Sequence, residues 1–219
     1  MSRFYPVFLD IEGKRAVVIG GGPVAHRKAA SLIEAGAVVT VISPEVVSVI
    51  KRLAERGILT HKPRRYRKGD LRGAVVAIAA TDDASVNEKV ASEAKALGTL
   101  VNCATPPDSG NFVVPSSIKR GALTLAISTG GASPALSKRL RLDLEAFLGT
   151  RYSWFLEFLE ETRVRLKGEV EDEAARQDIL RKLVDYCLSG ELAALHDKAA
   201  LQKAGSKFES MFTAFRSKQ

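Results

Sequence analysis

Residues 15–45, RAVVIGGGPVAHRKAASLIEAGAVVTVISPE, decide the fold. AVVIG (16–20) is a short apolar run ending in glycines, as a strand buried on both faces would be. PVAHRKAASLIEAG (23–36) follows with helical spacing, which places Val24, Lys28, Leu32 and Ala35 on one face. Pro23 suits the first turn, where its missing N–H costs nothing, and Gly36 suits the position just after the last turn. VVTVIS (38–43) is a second strand. Between the first strand and the helix, Gly20, Gly22 and Ala25 spell G-x-G-x-x-A, the short form of the dinucleotide fingerprint. In that motif the first glycine permits the tight turn and the second lets the backbone approach a pyrophosphate. The small third residue brings helix and strand together. The backbone N–H groups at the helix start then face the phosphates. A strand before and a helix after supply the context that the motif needs.

The residue closing the second strand is Ser43, where such units usually carry an Asp or Glu for the ribose 2′-OH. Ser43 makes a weaker hydrogen bond. Glu45 stands two residues on, after Pro44, and has two readings: a ribose contact, or a first-turn carboxylate favouring the dipole of the next helix. No arginine stands at this corner of the sequence to receive a 2′-phosphate. NAD is therefore expected over NADP, with its adenosine near Ser43, Pro44 and Glu45.

The pattern continues outward. EVVSVIKRLAERG (45–57) reads as a helix stopped by Gly57, AVVAIAAT (74–81) as a buried strand, ASVNEKVASEAKALG (84–98) as a helix, and LVNCA (100–104) as a strand. Alternating strands and helices imply an α/β, doubly wound parallel sheet of Rossmann type. Near residue 112 the character changes: FVVPSSIKRGALTLAISTGGASP is β-rich, with a Lys-Arg-Gly turn in its middle. From Pro134 the chain reads as helical: PALSKRLRLDLEAFL, WFLEFLEETRVRLKGEV, ARQDILRKLVDYCLSG and ELAALHDKAALQKA, before a frayed tail RSKQ. The expected layout is a Rossmann domain over 1–112, a small β-rich segment for dimerisation and substrate contact over 113–149, and a helical domain over 150–219.

Composition narrows the partners. The 219 residues are 46% hydrophobic, and Lys+Arg 33 against Asp+Glu 25 gives a formal charge of +8. That excess favours an anionic partner. No apolar run approaches the ~18 residues of a membrane span, and the N-terminus lacks the apolar core of a signal peptide. No helix-turn-helix with a basic recognition helix and no zinc or RNA-binding signature is present, so neither nucleic acid nor membrane is expected. Cys103 and Cys187 match no redox spacing, which suits a reducing cytoplasm. His26, His61 and His196 are isolated, and no resident metal is expected.

Three stretches together, YPVFLDIEGKRAVVIGGGPVAHRKAASLIEAGAVVTVISPE, AIAATDDASVNEKV and VNCATPPDSGNFVVPSSIKRGALTLAISTGGASPALSKRLR, resemble the precorrin-2 dehydrogenase module of siroheme biosynthesis. The likeness runs over about residues 4–145. The resemblance implies NAD-dependent oxidation of precorrin-2, a reduced tetrapyrrole with eight carboxylates, to sirohydrochlorin. Such a polyanion would account for the basic charge. It implies a homodimer with a swapped central segment, which would explain why 112–133 reads poorly as part of a single sheet. Family members occur alone or as the N-terminal half of siroheme synthase, and this chain looks like the stand-alone type. Some members also insert ferrous iron, and a bifunctional dehydrogenase and ferrochelatase is the alternative. A non-catalytic NAD-sensing regulator is a further one.

The resemblance also assigns candidate residues. Members commonly carry an aspartate just after the strand ending in VN, and the spacing from Asn102 to Phe112 puts Thr105 in that place. A threonine hydroxyl is no general base near neutral pH without an activating partner. Asp108 is the nearby carboxylate, although Pro-Asp-Ser-Gly is also ordinary turn chemistry. The family's functional serine in STGGASP (128–134) corresponds to Thr129, with Ser128 adjacent. Ser133 and Pro134 also read simply as a helix cap and first residue. Thr81, in TDD after the third strand, is placed to meet the cofactor through its hydroxyl, with Asp82 or Asp83 capping the next helix. The basic run HKPRRYRKGDLR (61–72) is either a landing surface for substrate carboxylates or a solvated loop. Lys138, Arg139 and Arg141 are better placed for substrate.

Overall fold

The computed structural model describes residues 4–148, 151–188 and 198–216. Strands β1 (Arg15–Ile19), β2 (Val38–Ile42), β3 (Thr60–Lys62), β4 (Val76–Ala79) and β5 (Leu100–Cys103) form one parallel sheet in the order β3-β2-β1-β4-β5. Helix α1 (Pro23–Glu34) follows β1, α2 (Ser48–Glu55) follows β2, and α3 (Ala84–Ala96) follows β4. Alternate residues of β1, β2, β4 and β5 serve two cores. Ala16, Val18, Val39, Val41, Val76 and Ile78 pack with Ala25, Ala29 and Ile50 of α1 and α2. Val17, Ile19, Ala77, Ala79, Val101 and Cys103 pack with Val90, Ala91 and Ala94 of α3. Burial on both faces is why these strands read as continuous apolar runs.

Several local expectations shift. The buried face of α1 is Ala25 and Ala29, with Leu32 and Ile33 packed beside them. Val24 and Lys28 are only half-buried and Ala35, the residue capping the helix, is exposed. Small side chains win that face because the helix lies close against the sheet. Helix α2 starts at Ser48, not Glu45, with no acidic residue in its first turn. Glu45 is therefore no helix-dipole carboxylate. Strand β3 went unread because THK has no apolar pattern and forms a three-residue edge. Gly36 has φ +79 just past α1, the left-handed conformation expected there.

The basic run is neither bare nor merely solvated. Arg64 makes a two-pronged ion pair with Asp70, at 2.6 and 2.8 Å, and the Arg67 N–H donates to the same carboxylate at 2.8 Å. The Arg15 side chain donates to the Asp70 carbonyl at 2.8 Å. Behind them Glu93, 9% exposed on α3, accepts from the Gly69 and Leu71 N–H groups and from the Tyr66 hydroxyl. Burial and the Glu93 carboxylate push the Tyr66 phenol well above its ordinary value. Arg65, Arg67, Lys68 and Arg72 remain exposed on this pinned loop.

The Arg64 guanidinium holds the Asp70 carboxyl below its ordinary 3.8. A carboxyl whose folded pKa is depressed stabilises fully above its unfolded pKa and loses that contribution as pH falls through the folded one. The melting-temperature gap between the native protein and Asp70→Asn should thus be constant between about pH 5 and 8 and narrow below about pH 4. A gap unchanged at about pH 2.5 would assign the stability to something other than the charge.

The chain divides into two compact units, Met1–Val114 and Pro115–Gln219. The β-rich and helical segments, read separately from the sequence, thus belong to one unit. In it β6 (Ser116–Arg120) and β7 (Leu123–Ile127) make an antiparallel hairpin, and α4 (Pro134–Leu148) packs on both strands. Helices α5 (Arg151–Glu169), α6 (Glu173–Leu188) and α7 (Lys198–Arg216) close a core of Phe155, Leu166, Ile179, Leu183, Phe208 and Phe212. Arg165 sits over the Phe208 and Phe212 rings, 5.2 and 5.0 Å from their centroids, and bridges to Glu169. The expected helix ELAALHDKAALQKA, with His196, begins outside the described residues; α7 instead runs on through GSKFESMFTAFR.

Candidate functional site

Strand order reverses between β1 and β4, so the crevice at the carboxyl edge of these strands is where an open α/β sheet takes a ligand. The glycine turn fills its floor. Gly20 has φ +121, and a Cβ there would lie 2.3 Å from the Ala80 carbonyl oxygen. The turn is thereby pressed against the end of β4. Gly21, a position without a role in the fingerprint, is tighter still: a Cβ would meet the Glu45 carbonyl oxygen at 1.9 Å. Its own carbonyl accepts from the Val47 N–H at 2.9 Å. Gly21 thus fixes the loop Ser43–Val47 against the turn. Gly22 is different, since a Cβ there would meet nothing within 4 Å. Protein packing accounts for two of the glycines, and the space over the third is open.

Gly22 is also the N-cap of α1, with no side-chain cap, and Pro23 is the first helical residue. The N–H groups of Val24 and Ala25 lie in the first turn and have no partner within the helix. A pyrophosphate over Gly22 would meet those donors and the positive end of the helix. These residues fit a dinucleotide.

At the corner after β2, where the sequence led us to expect the adenosine, Ser43 is half-buried, and Pro44 and Glu45 are exposed. The pairing of β3 beside β2 brings neighbours that the local sequence did not reveal. The Ser43 N–H donates to the Lys62 carbonyl at 3.3 Å, and the Ser43 carbonyl meets the His61 ring at 2.9 Å. A lysine therefore shares this corner.

At the other side, the Thr81 hydroxyl is engaged within the protein, 2.8 Å from Asn87 Oδ1 and 3.0 Å from the Asp83 carbonyl. Asp83, not Asp82, caps α3 by accepting from the Ser85 and Val86 N–H groups at 2.9 and 3.2 Å. Asn87 is fully buried and also reaches the Thr105 carbonyl at 2.8 Å. The sequence reading missed it. The signal was present, because Asn87 occupies the apolar stripe of α3 with Val90, Ala91 and Ala94.

The loop after β5 carries Thr105 and Asp108, both exposed. Asp108 lies in a single 3-10 turn, Pro107–Ser109. The loop then folds back on the β5 edge. Asn111 accepts from the Val101 N–H at 2.7 Å through its side chain and donates to the Val101 carbonyl at 2.9 Å through its backbone. Gly110 permits this, since a Cβ would press on the Val101 carbonyl oxygen at 2.7 Å. Gly20, Gly22, Pro23, Val24, Ser43, Glu45, Thr81 and Thr105 thus all stand at one edge of one sheet.

In the second unit, the Thr129 hydroxyl is held by the Ser133 N–H at 3.1 Å and the Ser137 hydroxyl at 3.1 Å. Ser133 caps α4 through the Leu136 N–H at 3.2 Å. Ser128 is exposed and accepts from the Gly130 N–H at 3.2 Å, which leaves its proton free to donate. Residues 150–219 are balanced in formal charge, so the whole excess of +8 lies in residues 1–149. No helix among the described residues is long and apolar enough to cross a membrane.

Comparison with known proteins agrees with this geometry. An NAD(P)-binding family matches residues 7–116, and the family described as sirohaem biosynthesis protein central matches residues 120–146. Siroheme synthase of Chromobacterium violaceum is 38% identical over 191 residues, 87% of this chain and 40% of that protein. The chain thus spans about two-fifths of the length of such relatives. Precorrin-2 dehydrogenase of Priestia megaterium is 34% identical over 83% of this chain and 89% of that one. The solved structure of SirC, precorrin-2 dehydrogenase, matches with a TM-score of 0.76 at 29% identity, covering 94% of this chain and 100% of that chain. With the glycine turn, the hairpin and the helical unit all matched in order, the chain belongs to the family of precorrin-2 dehydrogenases and siroheme synthases.

Proposed function

We propose that this protein oxidises precorrin-2 to sirohydrochlorin with NAD. The observation that carries the reading is the open face of Gly22 at an uncapped helix start, in a chain that spans 89% of a relative named precorrin-2 dehydrogenase. Bound NAD would accept a hydride from a substrate carbon, while the substrate loses a proton. The protein's own part is to bind and orient. Gly22 and the first turn of α1 hold the pyrophosphate, and the Ser43–Glu45 corner holds the adenosine. The Ser128 hydroxyl and the Gly131 N–H offer donors to a substrate carboxylate, a role that the Thr129 hydroxyl and the Gly130 N–H, engaged in their own loop, support by shaping that loop. Asp108 is the carboxylate that can take the proton. Mixing protein, NAD and precorrin-2 should produce the sirohydrochlorin spectrum; its absence with folded protein would remove the reading.

NAD is favoured by the Glu45 carboxylate, which can accept from a ribose hydroxyl and would repel a 2′-phosphate. Lys62 is the observation on the other side, and the ratio of rates with the two cofactors decides between them. The two buried thiols, Cys103 and Cys187, are both free and suit a reducing cytoplasm.

The active form is a homodimer in this reading. A two-stranded hairpin such as β6–β7 is marginal alone, and α4 leaves Leu136, Leu140, Leu144 and Phe147 exposed at helical spacing along one stripe. Sedimentation at micromolar concentration should give a dimer, and Leu140→Lys should shift it toward monomer. A native monomer would count against the swapped architecture.

A further inference from the structure

Asn87 is 0% exposed, and its amide makes four hydrogen bonds at the carboxyl edge of the sheet. Its Nδ2 donates to the Thr81 carbonyl at 2.9 Å and to the Thr105 carbonyl at 2.8 Å. Its Oδ1 accepts from the Thr81 N–H at 3.2 Å and the Thr81 hydroxyl at 2.8 Å. The orientation is fixed by chemistry: a backbone N–H can only donate, so the oxygen must face Thr81 N and the nitrogen must face the two carbonyls. Both donors and both acceptor positions are used.

The loop that it holds has little else to hold it. From Thr105 to Ser109 the Asn87–Thr105 bond is the only hydrogen bond that leaves the loop among the described residues; the Ser109 N–H turns back to the Pro106 carbonyl at 3.3 Å. The next anchors are Ala104 before it, donating to Ala79, and Asn111 beyond it on Val101. Asn87 therefore sets where Thr105 and Asp108 stand relative to the end of β4, and does so from inside the protein.

We propose that Asn87 is a positioning residue for the dehydrogenation. It ties the loop bearing Thr105 and Asp108 to the cofactor edge of the sheet without itself touching cofactor or substrate. Reaction rate is sensitive to sub-ångström placement of reacting groups, whereas the pyrophosphate contacts on Gly22 and α1 lie on other elements. This rests on the dehydrogenase reading, and the experiment keeps the two apart.

In Asn87→Asp at about pH 8 the carboxylate has no proton for the Thr81 and Thr105 carbonyls. The kcat should fall roughly tenfold, with NAD affinity within about threefold of native. Burial raises the pKa of the new acid, so lowering the pH restores one O–H donor. The ratio of variant to native kcat should then climb as pH falls toward about 6. In Asn87→Ala the same fall in kcat should appear without the pH-dependent recovery. Amide hydrogen exchange of residues 104–112 should quicken in both variants, with the rest of the first unit unchanged. That readout needs no activity: if the native protein fails to oxidise precorrin-2, the dehydrogenase reading falls, and exchange still decides whether Asn87 holds the loop. Native kcat and native exchange in both variants would overturn the proposal. So would parallel losses of kcat, NAD affinity and melting temperature, or failure of both variants to fold, since each marks Asn87 as general support.

Discussion

Gly22→Asp should abolish NAD binding while leaving the fold as stable as before, or more so. A Cβ at position 22 meets nothing within 4 Å, and the backbone there, φ −81 and ψ −173, is extended and open to any residue. The position is the N-cap of α1 and has no side-chain cap, so an aspartate supplies the acceptor that the first-turn N–H groups lack. The melting temperature should hold or rise. The same carboxylate stands where the pyrophosphate would lie. Two like charges about 4 Å apart repel by roughly 4 kcal/mol at an effective dielectric near 20, which is a loss of on the order of a thousandfold in affinity. Titration of NAD by quenching of protein fluorescence or by calorimetry measures it. Opposite signs in stability and affinity are the signature, because misfolding would lower both. Gly22→Ala, with no charge, should cost far less. Undiminished NAD affinity in the aspartate variant would defeat the cofactor assignment.

The contrast among the three glycines shows where sequence reading reaches and where it stops. G-x-G-x-x-A on a strand-to-helix turn specified Gly20 and Gly22, and alternating apolar runs specified a parallel sheet, because those signals are local. Gly21 carries as severe a constraint as Gly20, yet its constraint comes from the Glu45 carbonyl, 24 residues away and meaningful only after β2 is in place. Lys62 reached the Ser43 corner in the same way, through an edge strand too short to announce itself. The ordered loop around Asp70 and Glu93 looked like a run of cations because Asp70 is its single acid and the second carboxylate, Glu93, comes from α3. Asn87 is a case between the two: a polar residue in an apolar stripe is visible in the sequence, while its partners Thr81 and Thr105 require the fold.

Thr105→Asp should leave dehydrogenation within about threefold of native and raise ferrous iron insertion by on the order of a hundredfold, the lower range for a placed acid or base. The two reactions ask different things of this position. Removing a hydride depends on holding the reacting carbon close to the nicotinamide, which is a matter of orientation. Inserting a metal requires pyrrole protons to leave as the metal enters, and a carboxylate can take them directly. Thr105 offers no such base, so the native protein should oxidise precorrin-2 and insert iron poorly. The substitution itself should be well tolerated. Position 105 is exposed, so a new carboxylate pays no large desolvation cost, and its backbone is already fixed through its carbonyl by Asn87 at 2.8 Å. Sirohydrochlorin consumption with ferrous iron, followed by the siroheme spectrum, gives the chelation rate; NADH formation gives the other. If the native protein already inserts iron as fast as it oxidises precorrin-2, a group other than residue 105 takes the pyrrole protons. The role would then pass to Asp108, exposed three residues on in the same loop, and Asp108→Asn should remove the chelation that Thr105 could not explain.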